Sequence, residues 1–214
     1  MTVVIPHLEV ERELLGGGAR IVIGIDEVGR GAIAGPVAVG VAAIDVSCSR
    51  VPAGVRDSKL LSEKRREELE PVVIEWAVAT AVGFAEAEEI DELGIMRCLG
   101  LAGKRALGSL HEQGVDVASS TLLLDGNHDY LSPSLSSPLR ILTRVKADRD
   151  CGSVAAASVV AKVARDRVMI ARHAEHPDYG WVGNKGYGSS AHLEAIASAG
   201  ATVHHRHTWL HATA

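Results

Sequence analysis

Ile21-Val22-Ile23 and Ile25 make a nearly unbroken apolar run that ends at two adjacent acids, Asp26-Glu27, followed by a Gly29-Arg30-Gly31 turn. A run with no polar face reads as the central strand of a sheet covered on both sides. Carboxylates at the tip of a buried strand are costly to desolvate, so they need a metal ion or a cationic partner. The flanking glycines let backbone amides approach a bound group closely, and Arg30 supplies a rigid cationic fork. Together these residues point to a metal site placed beside a phosphate.

The rest of the chain supports a mixed α/β sheet. Strands are expected over about 20–27, 36–44 and 77–85, with a short one at Thr121-Leu122-Leu123-Leu124-Asp125 and another over about 140–146. Ser62 caps a helix that opens on Glu63 and runs to about Trp76. Residues 86–107 read as helical with a break near Gly94, and a long alanine-rich helix is expected from about Gly152 to His173. The Pro/Ser-rich stretch 131–138 reads as a loop, and short helices at about 190–199 and 206–211 close the chain. Early hairpin strands followed by alternating helices and strands give one mixed sheet flanked by helices. The division expected is a catalytic domain over 1–180 and a C-terminal helical, substrate-contacting segment over 181–214, packed into the same unit.

Three apolar strands thus end at acids: Asp26-Glu27, Asp125 and Asp148. Strand ends on one edge of a sheet converge, so these carboxylates share one site. Hard oxygen ligands suit Mg²⁺ or Mn²⁺, and no His/Cys cluster with zinc spacing competes. Two such ions about 3.5–4 Å apart activate a water and stabilise the leaving oxygen of a phosphodiester. In a regular strand Asp26 and Glu27 face opposite ways; a distortion permitted by Gly29 is expected to bring both inward.

Composition sets outer limits. A net charge of −5 argues against a broadly basic nucleic-acid coat and leaves room only for a local basic patch. No long apolar span reads as a membrane helix, and Met1–Pro6 lacks the pattern of a signal peptide. Cys48, Cys98 and Cys151 share no metal-ligand spacing and read as reduced thiols, which fits a cytoplasmic protein without a membrane partner.

The motifs, taken in order, resemble those of bacterial ribonuclease HII nearly from end to end. The matching blocks are Gly24 to Pro36, Asp57-Ser58-Lys59-Leu60-Leu61-Ser62, Ile90 to Ile95, Leu124-Asp125-Gly126-Asn127, Lys146-Ala147-Asp148, Ala155 to Arg167, Asn184-Lys185-Gly186-Tyr187-Gly188 and His205-Arg206. Ala32 stands where proline is frequent in that family. Asp150 competes with Asp148 as a ligand, and the Lys-Xaa-Asp frame favours Asp148. The resemblance implies a ribonuclease H-like fold and Asp26, Glu27, Asp125 and Asp148 as catalytic metal ligands. It implies a monomeric endoribonuclease that cuts the RNA strand of RNA/DNA hybrids, and cuts 5′ of ribonucleotides embedded in duplex DNA. Gly29, Arg30, Gly31 and Tyr187 are then the residues that read the ribonucleotide–deoxyribonucleotide junction. In that setting the main chain of the turn meets a 2′-hydroxyl, and the tyrosine ring stacks on the next sugar.

Ser58 and Lys59 are expected as phosphate contacts. Lys162 faces the nucleic-acid backbone or the solvent, Ser158 serves close packing, Asp57 caps locally, and Asp166 pairs with a nearby arginine. His192, His204, His205, His207 and His211, next to Arg206 and Trp209, fit a docked tail better than a metal site. Two alternatives remain: a ribonuclease HIII-like enzyme, for which only about two dozen residues precede Asp26, and a catalytically weak hybrid-binding protein, which would lack one of the acids.

Overall fold

The structure is a computed structural model, and it describes residues 4–210. In chain order its elements are α1 (Glu9–Gly16), β1 (Val22–Val28), β2 (Val37–Ile44), α2 (Glu63–Trp76), β3 (Ala79–Ala85), α3 (Ala87–Leu93) and α4 (Ile95–Glu112). They continue with β4 (Thr121–Asp125), β5 (Arg140–Arg144), α5 (Ala147–Asp150), α6 (Gly152–Glu175), α7 (Trp181–Asn184), α8 (Ser190–Ala199) and α9 (His207–Leu210). The five strands form one sheet in the order β3-β2-β1-β4-β5. β1, β2 and β3 are antiparallel neighbours, whereas β4 runs parallel to both β1 and β5.

The apolar run is the middle strand, as its composition requires. Its odd positions, Ile23 and Ile25, pack with Val39, Val41 and the buried face of α4 through Leu99, Ala102 and Ala106. The even side meets α6 at close range. A Cβ on Gly24 would lie 2.2 Å from the Ser153 carbonyl carbon, and one on Gly40 would lie 2.4 Å from the Ala157 oxygen, so only glycine admits the helix this near. α6 is buried nearly all round along its first ten residues because α2 covers its outer side through Leu69 and Val73. Its N-terminus is satisfied by the buried carboxylate of Glu11, which accepts from the Ser153 amide and hydroxyl at 2.8 Å each. The α1 lead is thereby tied to the centre of the fold.

Most expected elements form. The Ser62 hydroxyl accepts from the Arg65 amide as the helix cap, and the helix break falls at Gly94. Two differences matter for function. β5 stops at Arg144 and is largely exposed, so Asp148 does not end a strand; it lies in the one-turn helix α5. α7 is an element the sequence pattern does not mark, and it seats the fully buried Trp181 against Tyr179 and Met169. Of the C-terminal histidines, His192 and His205 are fully buried in this docked segment, and His211 lies outside the described residues. Among the described residues no helix is long and apolar enough to cross a membrane.

Candidate active site

β1 and β4 pair only through Ile25 and Leu124, one residue short of the acids. β1 stays in register with β2 through Val28, with Asp26 opposite Gly40 and Glu27 opposite Val39. The ladder is therefore regular, and the expected distortion near Gly29 is absent: Asp26 takes the α6 side of the sheet and Glu27 the α4 side. The acids gather instead around the end of the β1–β4 seam. Asp125, the last residue of β4, accepts from the amides of Ala147 at 2.7 Å and Asp148 at 3.3 Å. That carboxylate caps the start of α5 and so sets Asp148 beside it. Asp150 is turned away, held by Arg149 at 2.7 Å.

Lys59 reaches this group from the other side of the cleft. Asp57 accepts from the Lys59 amide at 3.0 Å and shapes the single turn Ser58–Leu60, as expected of a local cap. The Lys59 ammonium then lies 3.2 Å from Asp148 Oδ2. Burial works against its charge, but Asp26, Asp57 and Asp148 outweigh that and raise its pKa above the ordinary lysine value. Asp26 is only 3% exposed. Burial first, then Glu27, Asp125 and Asp148, hold its carboxyl well above the usual range, with Lys59 opposing them. Burial also raises Glu27, with Asp125 adding to it while Arg30, 3.6 Å away, pulls it down. Asp125 is raised by burial and by Asp148. Lys59 and Arg30 do not balance four acids, so the pocket has an unmet demand for positive charge. Its donors are all carboxylate oxygens, which fits Mg²⁺ or Mn²⁺ and not zinc.

Beside the acids, the Gly29-Arg30-Gly31 turn is held from beneath by two fully buried arginines. Arg206 donates to the carbonyls of Gly29 at 2.6 Å, Arg30 at 2.9 Å and Gly35 at 3.2 Å. Arg165 donates to Pro36 at 2.8 Å, Lys185 at 2.8 Å and Ala34 at 3.2 Å. Gly29 has φ +81°, and a Cβ there would fall 2.0 Å from Arg165 Nε. In a trans peptide the N–H points opposite to the C=O. With the Gly29 and Arg30 carbonyls turned inward to Arg206, the amides of Arg30 and Gly31 face outward, toward any group docked on the turn.

The ribonuclease HII family profile matches residues 23–212, which takes in every residue of this site. The chain belongs to the ribonuclease HII family. Ribonuclease HII of Streptomyces coelicolor is 46% identical over 205 residues, covering 95% of this chain and 83% of that protein. The crystal structure of ribonuclease H2 from Pyrococcus horikoshii superposes with a TM-score of 0.69 at 28% identity, over 88% of this chain and 93% of that one. A Bst-RNase HIII in complex with Mn²⁺ shares the fold at a TM-score of 0.66 and 24% identity; the match covers 86% of this chain but 64% of that one. The fold is the ribonuclease H-like one, and the activity that goes with ribonuclease HII membership is that of an RNase H endonuclease acting on RNA/DNA hybrids.

Several residues of this ribonuclease HII-family chain have places that the sequence hid. Tyr187 is 39% exposed and its ring lies over Arg165 at 5.5 Å, so the arginine under the turn also supports the tyrosine. Its carbonyl meets His192 Nδ1 at 2.9 Å, and His192 Nε2 lies 3.2 Å from His205 Nε2. Trp181 Nε1 donates to His192 Nε2, and the Thr202 amide donates to His205 Nδ1, which fixes both tautomers: His205 donates to His192, and His192 donates to Tyr187. Ser58 is buried: its amide donates to Ser158 Oγ at 3.2 Å and its hydroxyl oxygen accepts from Ser158 at 2.7 Å. It therefore braces the turn that aims Lys59, and Ser158 does more than pack. Asp166 pairs with Arg66 at 3.1 Å and with Lys162, which removes Lys162 from the surface. Tyr130, unremarked in the sequence, is buried close enough to the site that burial and then Glu27, Asp26 and Asp125 push its phenol well above the ordinary value. It stands there as a neutral hydroxyl, without a hydrogen-bond partner among the described residues.

Proposed function

We propose that this ribonuclease HII-family chain cleaves the RNA strand of hybrids, and the 5′ side of single ribonucleotides in duplex DNA, by metal-assisted hydrolysis at Asp26, Glu27, Asp125 and Asp148. The observation that carries the reading is the cluster of four carboxylates, opposed by only Lys59 and Arg30 among the described residues, next to a turn that presents its amides outward. Two ions, Mg²⁺ or Mn²⁺, would activate the attacking water and stabilise the leaving oxygen. The protein's part is positioning. The outward amides of Arg30 and Gly31 meet the 2′-hydroxyl, the group that tells RNA from DNA at that sugar. Tyr187 packs on the following deoxyribose, and Lys59 contacts the phosphate once cations take over its hold on Asp148. Water adds to phosphorus, the bond to the 3′ oxygen breaks and that oxygen takes a proton, so the RNA's own 2′-hydroxyl is not consumed.

The setting proposed is a cytoplasmic monomer, consistent with three buried, unpaired thiols. The unit we assign to catalysis is residues 1–180, with 181–214 as a substrate-contacting appendage, whose Arg206 grips the turn. Duplex DNA with one internal ribonucleotide, end-labelled and incubated with Mg²⁺, Mn²⁺ or chelator, tests the proposal. The expected products carry a 3′-hydroxyl and a 5′-phosphate, with the break 5′ of the ribonucleotide, and a 2′-O-methyl sugar there should block binding. A 2′,3′-cyclic phosphate, or cleavage that persists in excess EDTA, refutes it.

A further inference from the structure

We infer that Glu175, His176 and His204 form a second cation site, for one zinc-class divalent ion, that clips the end of α6 to the C-terminal loop. One ligand atom from each of the three residues lies within 4.8 Å of the others. Zinc bonded at about 2.0–2.2 Å in tetrahedral geometry needs ligand atoms roughly 3.4 Å apart. The three ligand atoms would have to draw together, and Glu175, at an exposed position, has room to move toward the imidazoles. The two imidazoles are already set: their centroids are 5.5 Å apart at an interplanar angle of 70°. Both stand edge-on to the buried Trp181 ring, His176 at 5.7 Å and His204 at 5.9 Å, so one indole orients the pair.

The backbone on each side is anchored as well. The His176 amide donates to Arg172 in the last turn of α6, and the His204 carbonyl accepts from Gly35 at 2.7 Å. Neither imidazole has a hydrogen-bond partner among the described residues, so both rings have a nitrogen to offer. Arg172 opposes a cation here, but its Nη2 is held by Glu86 at 2.8 Å. Two imidazoles and one carboxylate favour a zinc-class ion, whereas the four acids around Lys59 favour Mg²⁺ or Mn²⁺. The two sites therefore separate by the chemistry of their ligands.

The clip lies directly upstream of Arg206, the residue that holds the Gly29 and Arg30 carbonyls. An ion there would stiffen the support of that turn without touching substrate. The inference does not depend on the proposed reaction. Cobalt(II) tests it on the full chain, because four-coordinate nitrogen-bearing sites give intense visible bands and octahedral oxygen sites give weak ones. One equivalent of the intense band is expected in the wild type and in Asp26→Asn, displaced by Zn²⁺. It should be absent in His176→Gln and His204→Gln, and Zn²⁺ should raise the melting temperature of the wild type and Asp26→Asn but of neither histidine variant. Glu175→Gln, at an exposed position that leaves packing intact, should weaken cobalt binding at least tenfold. No intense band in the wild type, a band that survives both histidine substitutions, or unchanged affinity in Glu175→Gln would each overturn the site.

Discussion

Replacing Gly29 by alanine should damage this protein far more than the same change at Gly31, two residues on. At φ +81° an alanine lies in the left-handed region, at a cost of about 1–2 kcal/mol. The new Cβ would also lie 2.0 Å from Arg165 Nε and 2.7 Å from its Cδ and Cζ, far inside contact distance. Arg165 cannot swing aside cheaply, because it is fully buried and donates to three carbonyls. Losing even one such bond to a charged donor costs about 1.5–3 kcal/mol. The two effects give roughly 2.5–5 kcal/mol, a large share of the ~5–15 kcal/mol that holds a domain together. For a chain of this size that corresponds to a drop of roughly 10 °C in melting temperature. A Cβ on Gly31 meets nothing within 4 Å, so its loss should be within about 0.5 kcal/mol, with any effect confined to substrate binding. Thermal melts of both variants by circular dichroism, alongside cleavage assays, compare the two. If Gly29→Ala melts within about 2 °C of the wild type, or the two variants lose equal stability, the account of Arg165 as the floor of the turn is wrong.

Asp26→Asn should lower cleavage by at least ~10²–10³-fold, as loss of one transition-state donor does. In EDTA it should melt at or above the wild type because a buried repelling charge is gone; saturating Mg²⁺, worth about 2.7 kcal/mol at a hundred times the dissociation constant, should reverse that order. A variant less stable than the wild type in EDTA would contradict the electrostatic reading. Tyr187→Ala should remove about 1–3 kcal/mol of stacking from single-ribonucleotide substrates and less from continuous hybrids, read as separate kcat/KM values; equal losses would make the ring merely structural. His205 is held by burial, with His192 adding to it, at about 4, below the ordinary histidine value. Its unfolded form takes a proton first as pH falls, so its share of stability is full above about pH 6.5 and declines toward pH 4, by up to ~1.4 kcal/mol per pH unit. His205→Gln should flatten the wild-type stability profile in that window, and identical profiles would refute the tautomer chain.

Local patterns were the legible part of this fold. The apolar run before Asp26, the Ser62 cap and the break at Gly94 are each written in a few consecutive residues, and each forms as read. What stayed hidden depends on contacts between distant parts of the chain. Asp148 reads as a strand end because Arg140 to Lys146 alternates plausibly, but the amides capped by Asp125 pull residues 147–150 into a helical turn. Asp26 and Glu27 need no kink, since the seam with β4 ends before them and opens room on both faces. Ser58 and Ser158 meet across the long gap between the Lys59 turn and α6, so neither sequence neighbourhood shows the bond that buries them. Arg206 reads in the sequence as part of a family-like motif in the tail, and its grip on the Gly29 turn is a purely tertiary fact.

The two arginines beneath the turn also change how an acidic chain meets a polyanion. Both are fully buried, and their contacts are carbonyl oxygens and the rings of Tyr187 and Trp209, not carboxylates. Burial and Arg165 bring Arg206 down to about 9, so it still carries its proton at neutral pH. Two positive charges thus sit below the surface at one spot of a molecule whose net charge is −5. Mobile ions screen buried charges less than exposed ones, so this pull persists as salt rises. On a chain of net charge −5, this local attraction favours approaches that bring the backbone over the turn. The acidity that argues against a broadly basic coat thus leaves the angle of approach to two buried charges beneath one turn.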